Sequence, residues 1–120
     1  MEFADNLKKE FPLMYEGGDY YVGEGWQPVI FALSSCIQSH LDWINRNGVE
    51  VEQVKVTQIK EKFGGLRFYY DGGDDYVGGL VQMAEAWADR TCEVCGKPGT
   101  IRDLSWVKTL CDEHYEERIN

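Results

Sequence analysis

The chain has 120 residues, of which 43% are hydrophobic and 13% aromatic; this composition suffices for one compact core and excludes a disordered chain. Its 21 acidic and 12 basic residues give a formal net charge of −9, which disfavours general affinity for nucleic-acid phosphates. No apolar run is long enough to cross a bilayer, and the first residues lack the features of a signal peptide. We therefore expect a cytoplasmic protein that does not associate with membranes.

The N-terminal part of the chain is predicted to form a short helix followed by a loop. Residues 3–15 place apolar side chains on one helical face before Pro12 disturbs the pattern. Four glycines among residues 16–25 indicate a loop. In that loop, Tyr20 and Tyr21 either pack inward or remain free for a partner.

Residues 26–47 are the clearest helix, and Gly48 is placed to end it. Cys36 and His40 stand one turn apart beside its apolar stripe, with no further ligand nearby in the chain. We therefore expect a packed thiol and a boundary imidazole rather than part of a metal or catalytic site. The stripe itself should form the centre of the core: Trp26, Ile30, Leu33, Ile37, Leu41 and Ile44.

A β-hairpin is predicted next. Residues 49–60 are rich in Val, Thr and Ile, which favours a strand, and a turn at Gly64 and Gly65 leads into a second strand over residues 66–70. Side chains alternate between the two faces of a strand. This alternation places Leu66, Phe68 and Tyr70 on one face and Arg67 and Tyr69 on the other.

A third helix is predicted over residues 76–90, after a glycine- and aspartate-rich turn. Asp74 or Asp75 is placed to cap its first turn. Its apolar side should carry Val77, Leu80, Val81, Ala84 and Trp87.

The last thirty residues carry a candidate metal site. Cys92 and Cys95 form a Cys-x2-Cys pair, and Cys111 and His114 form a Cys-x2-His pair fifteen residues later. Thiolates and imidazoles are preferred ligands of Zn²⁺, and two close pairs across a short insert form a tetrahedron. Because all four positions are protein side chains, no position remains for an activated water, and the predicted Zn²⁺ is structural.

The arrangement around these ligands resembles the treble-clef zinc fold. Cys92, Cys95 and Gly96 form a knuckle, residues 101–107 a short hairpin, and the second ligand pair begins a final helix. We therefore predict an α+β fold: helices packed on a small antiparallel hairpin or sheet, with a C-terminal treble-clef-like zinc unit. Residues 1–90 form the core and residues 91–120 the zinc-binding unit packed on it, as a single compact domain.

Catalytic signatures are missing. The predicted zinc hairpin has no histidine that would act as a nuclease general base, and no His-x-Glu pair precedes the first cysteines as in zinc deaminases. The chain also lacks a phosphate-binding loop and a nucleophile elbow. We expect a protein that is not an enzyme.

Several segments together resemble a group of small bacterial and bacteriophage proteins that have no assigned activity. The likeness rests on Gln58-Ile-Lys-Glu-Lys-Phe-Gly-Gly-Leu-Arg-Phe-Tyr-Tyr70, on Cys92-Glu-Val-Cys-Gly-Lys-Pro-Gly and on Thr109-Leu-Cys-Asp-Glu-His114. Phe11-Pro-Leu-Met-Tyr and Gly25-Trp26 extend it over most of the chain. The resemblance implies a cytoplasmic protein, with a phage as one expected source, and brings no catalytic residues with it.

The first functional hypothesis is a zinc-stabilised protein-interaction protein. Its specific form is a phage-encoded inhibitor of a host defence or nucleic-acid-handling system. An acidic protein complements a partner with a basic surface. The acidic residues expected to contact that partner are Glu16, Asp19, Glu24, Asp71, Asp74 and Asp75.

The alternative is a nucleic-acid-binding zinc module. Residues 53–70 are the only positive segment, with four basic residues against one acidic residue, and aromatic residues that can stack on bases lie among them. Four charges in an acidic protein release few counterions, so an ordinary soluble strand edge is the favoured interpretation. The candidate binding residues are Lys55, Lys60, Lys62, Arg67 and Tyr69, with Phe63 and Phe68 as further stacking candidates.

Overall fold

The computed structural model describes residues 2–119, so Met1 and Asn120, the ends of the predicted core and zinc unit, lie outside the described residues. Four α-helices and two small sheets confirm the predicted α+β class. No helix within residues 2–119 has the length and apolar character needed to cross a membrane. The elements are α1 (Phe3–Glu10), β1 (Asp19–Tyr21), α2 (Gln27–Arg46), β2 (Lys55–Lys62), β3 (Gly65–Asp71), α3 (Asp75–Ala88), β4 (Thr100–Arg102), β5 (Lys108–Leu110) and α4 (Asp112–Ile119), with a 3₁₀ turn (Glu24–Trp26) before α2.

The larger sheet has three strands in the order β1–β2–β3, so the loop predicted for residues 16–25 is partly wrong. β1 pairs with β2 in parallel, and β2 pairs with β3 in antiparallel. A strand of three residues is too short to show alternation in the sequence. Within it, Tyr20 packs against the core while Tyr21 is exposed, so the two alternatives stated for these tyrosines apply to one residue each.

The hairpin between β2 and β3 turns one residue earlier than predicted. Lys62 pairs with Gly65, so Phe63 and Gly64 form the turn. Their φ angles are +53° and +79°, and a two-residue hairpin turn requires such positive values to match the twist of its strands. β2 begins at Lys55 rather than at residue 49, because Lys55 already pairs with Asp71, the last residue of β3, and earlier residues have no strand to join.

Helix α1 is shorter than predicted, ending at Glu10 instead of residue 15. Phe11 adopts a non-helical conformation, with φ −130° and ψ 63°. A residue before proline is disfavoured in the helical region, so Pro12 stops the helix one residue ahead of itself.

The core lies between the three-stranded sheet and helices α2 and α3. The predicted α2 stripe is confirmed: five of its six side chains are buried, Ile44 being half-buried. The predicted alternation in β3 is confirmed as well, since Leu66 and Phe68 are buried while Arg67 and Tyr69 are exposed. The placement of Trp87 on the core side of α3 is wrong, because 56% of this residue is exposed.

Candidate metal centre

The four predicted ligands lie together although fifteen residues separate the two pairs. The knuckle between Thr91 and Pro98 contributes Cys92 and Cys95, and the β4–β5 hairpin leads to Cys111, one residue before α4, which carries His114. Knuckle, hairpin and helix follow one another in the treble-clef order. We call these four residues the Cys3His cluster.

The geometry of the Cys3His cluster fits a tetrahedral zinc ion. The Sγ atoms of Cys95 and Cys111 are 3.8 Å apart, and Nδ1 of His114 lies 3.6 Å from Cys92 Sγ and 3.2 Å from Cys111 Sγ. Zn–S bonds of about 2.3 Å and Zn–N bonds of about 2.0 Å at tetrahedral angles require separations of about 3.8 and 3.5 Å, so the first two distances agree and the Cys111–His114 distance is slightly shorter. All four cysteines of the chain are free thiols, so no disulfide competes for these positions.

Electrostatics in the cluster favour a thiolate at Cys92. Burial opposes ionisation of this thiol, but backbone hydrogen bonds from Cys111, Cys95 and Val94 outweigh it and bring its pKa down to about 6. Hydrogen bonds to Cys111 and Cys92 raise the pKa of His114. A thiolate ready at neutral pH is the form that binds a metal cation.

The knuckle is docked on the core through close backbone contacts. The Gly25 N–H donates to the Glu93 carbonyl at 3.0 Å, and a Cβ at Gly25 would lie 2.0 Å from the Cys92 carbonyl oxygen. The indole N–H of Trp26, which is fully buried, donates to the Thr91 carbonyl at 2.9 Å. The core therefore approaches the first ligand pair at a distance that only glycine permits at this position.

A second contact joins the β2–β3 hairpin to the C-terminal unit through an ion-pair network. Lys108 Nζ lies 3.1 Å from a carboxylate oxygen of Glu61 and 3.1 Å from one of Glu93. Glu93 also accepts from the Thr109 backbone N–H at 3.0 Å, and the Thr109 hydroxyl donates to the Gly64 carbonyl at 2.7 Å. The sequence alone does not indicate this network, because charged residues far apart in the chain carry no local pairing signal.

The predicted acidic residues belong to several different elements of the fold. Glu16 forms an ion pair with Lys55 at 2.6 Å. One residue of the predicted acidic partner surface is thus paired with one residue of the predicted basic hairpin. Glu24 lies in the 3₁₀ turn before α2, in a depression shared with Val94 and Cys95. The remaining exposed members are Asp19 in β1, Asp71 at the end of β3 and Asp75 at the start of α3.

Asp74 is the predicted cap of α3, and the prediction is confirmed. Its carboxylate accepts from the Val77 N–H at 3.1 Å and lies 2.8 Å from Nε2 of His40. The hydrogen bond from His40 is the main cause that lowers the pKa of Asp74. His40 is thus the expected boundary imidazole, and it also stacks on Tyr76 with ring centroids 4.1 Å apart. The packed thiol expected at Cys36 is wrong, because this residue is exposed.

The basic hairpin is only partly available for binding. Lys55 forms an exposed ion pair with Glu16, and Phe68 is buried, so Phe68 cannot stack on a base. Lys60, Arg67 and Tyr69 lie on the outward face of the sheet, and Tyr21 extends the row, since it pairs with Lys60 across β1 and β2. Lys62 and Phe63 lie beside this face at the hairpin turn, and both are exposed.

A comparison of the chain with protein-family models, with curated proteins and with solved structures found no match.

Proposed function

We propose that this chain is a non-enzymatic protein-interaction protein held together by a structural Zn²⁺ ion in the Cys3His cluster. In this proposal it is phage-encoded and acts in the host cytoplasm by inhibiting a defence or nucleic-acid-handling protein that presents a basic surface. The observation that carries the proposal is the exposure of large uncharged side chains on an otherwise acidic protein. Trp106, Met83 and Trp87 are 71%, 65% and 56% exposed, and such side chains are enriched at protein interfaces.

The zinc assignment rests on ligand chemistry and spacing. Three thiolates and one imidazole select Zn²⁺ over hard cations, and the four donors leave no coordination position for a substrate. Metal analysis of the purified protein should find one zinc per chain. The variant Cys95→Ser should lose the metal and unfold the C-terminal unit, whereas Cys36→Ser, which removes the fourth cysteine outside the cluster, should retain both.

The partner is expected to be basic because the net charge is −9 and the exposed carboxylates of Asp19, Asp71 and Asp75 have no ion-pair partner among residues 2–119. Opposite charge steers association and makes it dependent on salt. These carboxylates supply the attraction, and the exposed apolar side chains supply the contact area.

Affinity capture from host lysate with the zinc-loaded protein tests this proposal. We expect a specific host protein whose capture weakens at moderate salt and in the variant Asp19→Asn/Asp71→Asn. The matched control is Asp103→Asn/Glu116→Gln, which removes the same charge from exposed positions of the C-terminal unit. Failure to recover any specific protein at low salt would contradict the proposal. Equal losses in both variants would contradict the assigned surface.

A second candidate function is single-stranded nucleic-acid binding on the outward face of the sheet. Tyr21, Lys60 and Arg67 are direct neighbours across the three strands, and Lys60 Nζ lies 5.5 Å from the ring centroid of Tyr69. Exposed aromatic rings beside cations are the elements that stack on bases and hold phosphates. The net charge of the protein acts against it.

Fluorescence anisotropy with labelled single-stranded and duplex oligonucleotides distinguishes the two candidates. Binding through the sheet would be lost in Lys60→Glu/Lys62→Glu and weakened in Tyr69→Leu. It would be retained in Lys97→Glu/Arg118→Glu, which makes the same charge change in the C-terminal unit. No binding by the unmodified protein at low salt removes this candidate.

A further inference from the structure

An apolar groove runs between helices α2 and α3, and at its Pro28 end it adjoins the depression that contains Cys95. Its volume is about 300 Å³. One wall is formed by Pro28, Ala32 and Cys36 of α2, and the other by Leu80, Met83 and Trp87 of α3. No charged side chain lines it.

The sequence around the groove is unusual for this chain, in which 28% of residues are charged. Residues 27–41 of α2 and residues 76–84 of α3 contain no Asp, Glu, Lys or Arg. One face of each helix is needed for the core, but a solvated outer face normally carries charge. The outer face of this helix pair is therefore built as an apolar surface, and Met83 and Trp87 project from it.

The ends of the groove are acidic. About one helical turn beyond Cys36 and Leu80, where the groove ends, His40 stacks on Tyr76 and contacts Asp74, and the exposed Asp75 follows Asp74 in the chain. The other end, at Pro28 and Trp87, has its own charged neighbours. Glu24 shares a depression with Pro28, and Asp89 and Arg90 share one with Trp87. Both ends are thus net acidic, most strongly the end at Asp74 and Asp75.

We propose that this groove binds an amphipathic helix of a partner protein that carries apolar residues on one face and Lys or Arg at its ends. The inference rests on the proposed interaction function and assigns it a surface and a kind of partner. Helices commonly bind in apolar grooves through side chains at i, i+3, i+4 and i+7. Basic ends would lie against Glu24 and Asp89 on one side and against Asp75 on the other.

The dimensions and charges select this occupant. From Pro28 to Cys36 the groove follows eight residues of α2, or about 12 Å at the helical rise, so it accommodates roughly two turns of a bound helix. A second copy of this chain would bring acidic ends against acidic ends in a two-fold dimer, which like-charge repulsion opposes. The same charges repel anionic lipids and nucleic acids.

The test uses the zinc-loaded protein and a fluorescent model peptide of about 18 residues, with Leu on one helical face and Lys elsewhere. We expect binding by anisotropy, and no binding of the matched peptide in which Glu replaces Lys. Met83→Gln/Trp87→Gln should weaken binding about tenfold, because central apolar and aromatic anchors dominate such interfaces. Leu13→Gln/Val49→Gln is the matched control, since it removes two exposed apolar side chains outside the groove and should bind as the unmodified protein does.

Cys36 provides a second readout, because it is an exposed thiol in the groove wall. The bound Leu–Lys peptide should slow alkylation of Cys36, located by mass spectrometry, while a short Lys-only peptide should not. Equal affinity for both double variants, or unprotected Cys36, would overturn the inference and attribute binding to net charge alone. If Met83→Gln/Trp87→Gln still captures the host protein, the groove inference fails but the proposed function stands. If the peptide binds in the groove but no host protein is captured, the proposed function fails instead.

Discussion

Replacing Lys108 with methionine should destabilise the protein, because Lys108 bridges the core hairpin and the C-terminal unit. Its Nζ lies 3.1 Å from carboxylate oxygens of both Glu61 and Glu93, and 16%, 18% and 9% of the three side chains are exposed. At an effective dielectric constant of about 20, each such pair attracts with about 5 kcal/mol. Most of this is offset by desolvation, but removing the cation leaves two buried carboxylates uncompensated, and we expect a loss of about 3 kcal/mol.

That loss is large relative to the stability of a domain of this size. At roughly 0.05–0.15 kcal/mol per residue, the free energy of unfolding is about 6–18 kcal/mol. An unfolding entropy of about 2.1 cal/mol/K per residue converts the loss into a fall of about 12 °C in Tm. Urea and thermal unfolding of the zinc-loaded protein measure both quantities. Lys97→Met, at an exposed lysine of the knuckle, is the matched control and should stay within about 0.5 kcal/mol of the parent.

The pH dependence of this difference is a further check. Burial alone would lower the pKa of Lys108, but the hydrogen bonds and charges of Glu61 and Glu93 outweigh it, so the pKa is raised. The stabilisation is therefore fully present below the ordinary lysine pKa of about 10.5 and is lost as the pH rises through the raised value. The reasoning is refuted if Lys108→Met and Lys97→Met unfold at the same urea concentration at pH 7. It is also refuted if Glu61→Gln and Lys108→Met show no coupling energy in a double-mutant cycle.

Three further predictions concern the backbone and the α3 cap, each measured by urea unfolding of the zinc-loaded protein. Gly25→Ala should lower the free energy of unfolding by at least about 2 kcal/mol, because the new Cβ meets a knuckle carbonyl oxygen at 2.0 Å. The matched control Gly79→Ala meets nothing within 4 Å and should stabilise α3 by about 0.5–1 kcal/mol. Phe63→Asn should stabilise the protein by about 0.5–1 kcal/mol, since asparagine tolerates the φ of +53° better than phenylalanine does; a loss of stability would contradict that turn geometry. Asp74→Ala should cost about 1 kcal/mol at pH 7 through the lost cap. Because the hydrogen bond from His40 lowers the pKa of Asp74, this cost should persist down to the ordinary aspartate pKa of about 3.9 and vanish only as the pH falls through the lowered value. A cost already absent at about pH 3.9 would contradict the lowered pKa.

Several features were predictable because they depend on residues close together in the chain. The apolar stripe of α2 follows a helical period, and Asp74 stands directly before the helix that it caps. The alternation in β3 is equally local. In each case the spacing along one element decides which side chains share a face, so the sequence suffices.

Other features depend on which distant segments meet, and the predictions failed there. β1 exists because residues 19–21 lie beside β2, and β2 starts only where β3 provides a partner. Lys55 and Glu16 were assigned to opposing surfaces, yet they form an ion pair. Trp87 was placed in the core because its position fits the apolar side of α3, but helix α2 and the sheet leave that position outside.

By itself, the sequence determined the α+β class, the main helices and the four candidate metal ligands. The period of hydrophobic residues and the spacing of the ligands both depend only on residues close together in the chain. Only the tertiary structure decided which residues surround those ligands, which charges are neutralised and where an apolar groove remains open. The uncharged runs in α2 and α3 are visible in the sequence, but only packing separates the half of each run that forms the core from the half that faces solvent. Burial is a property of contacts between segments, and chain spacing alone does not specify it.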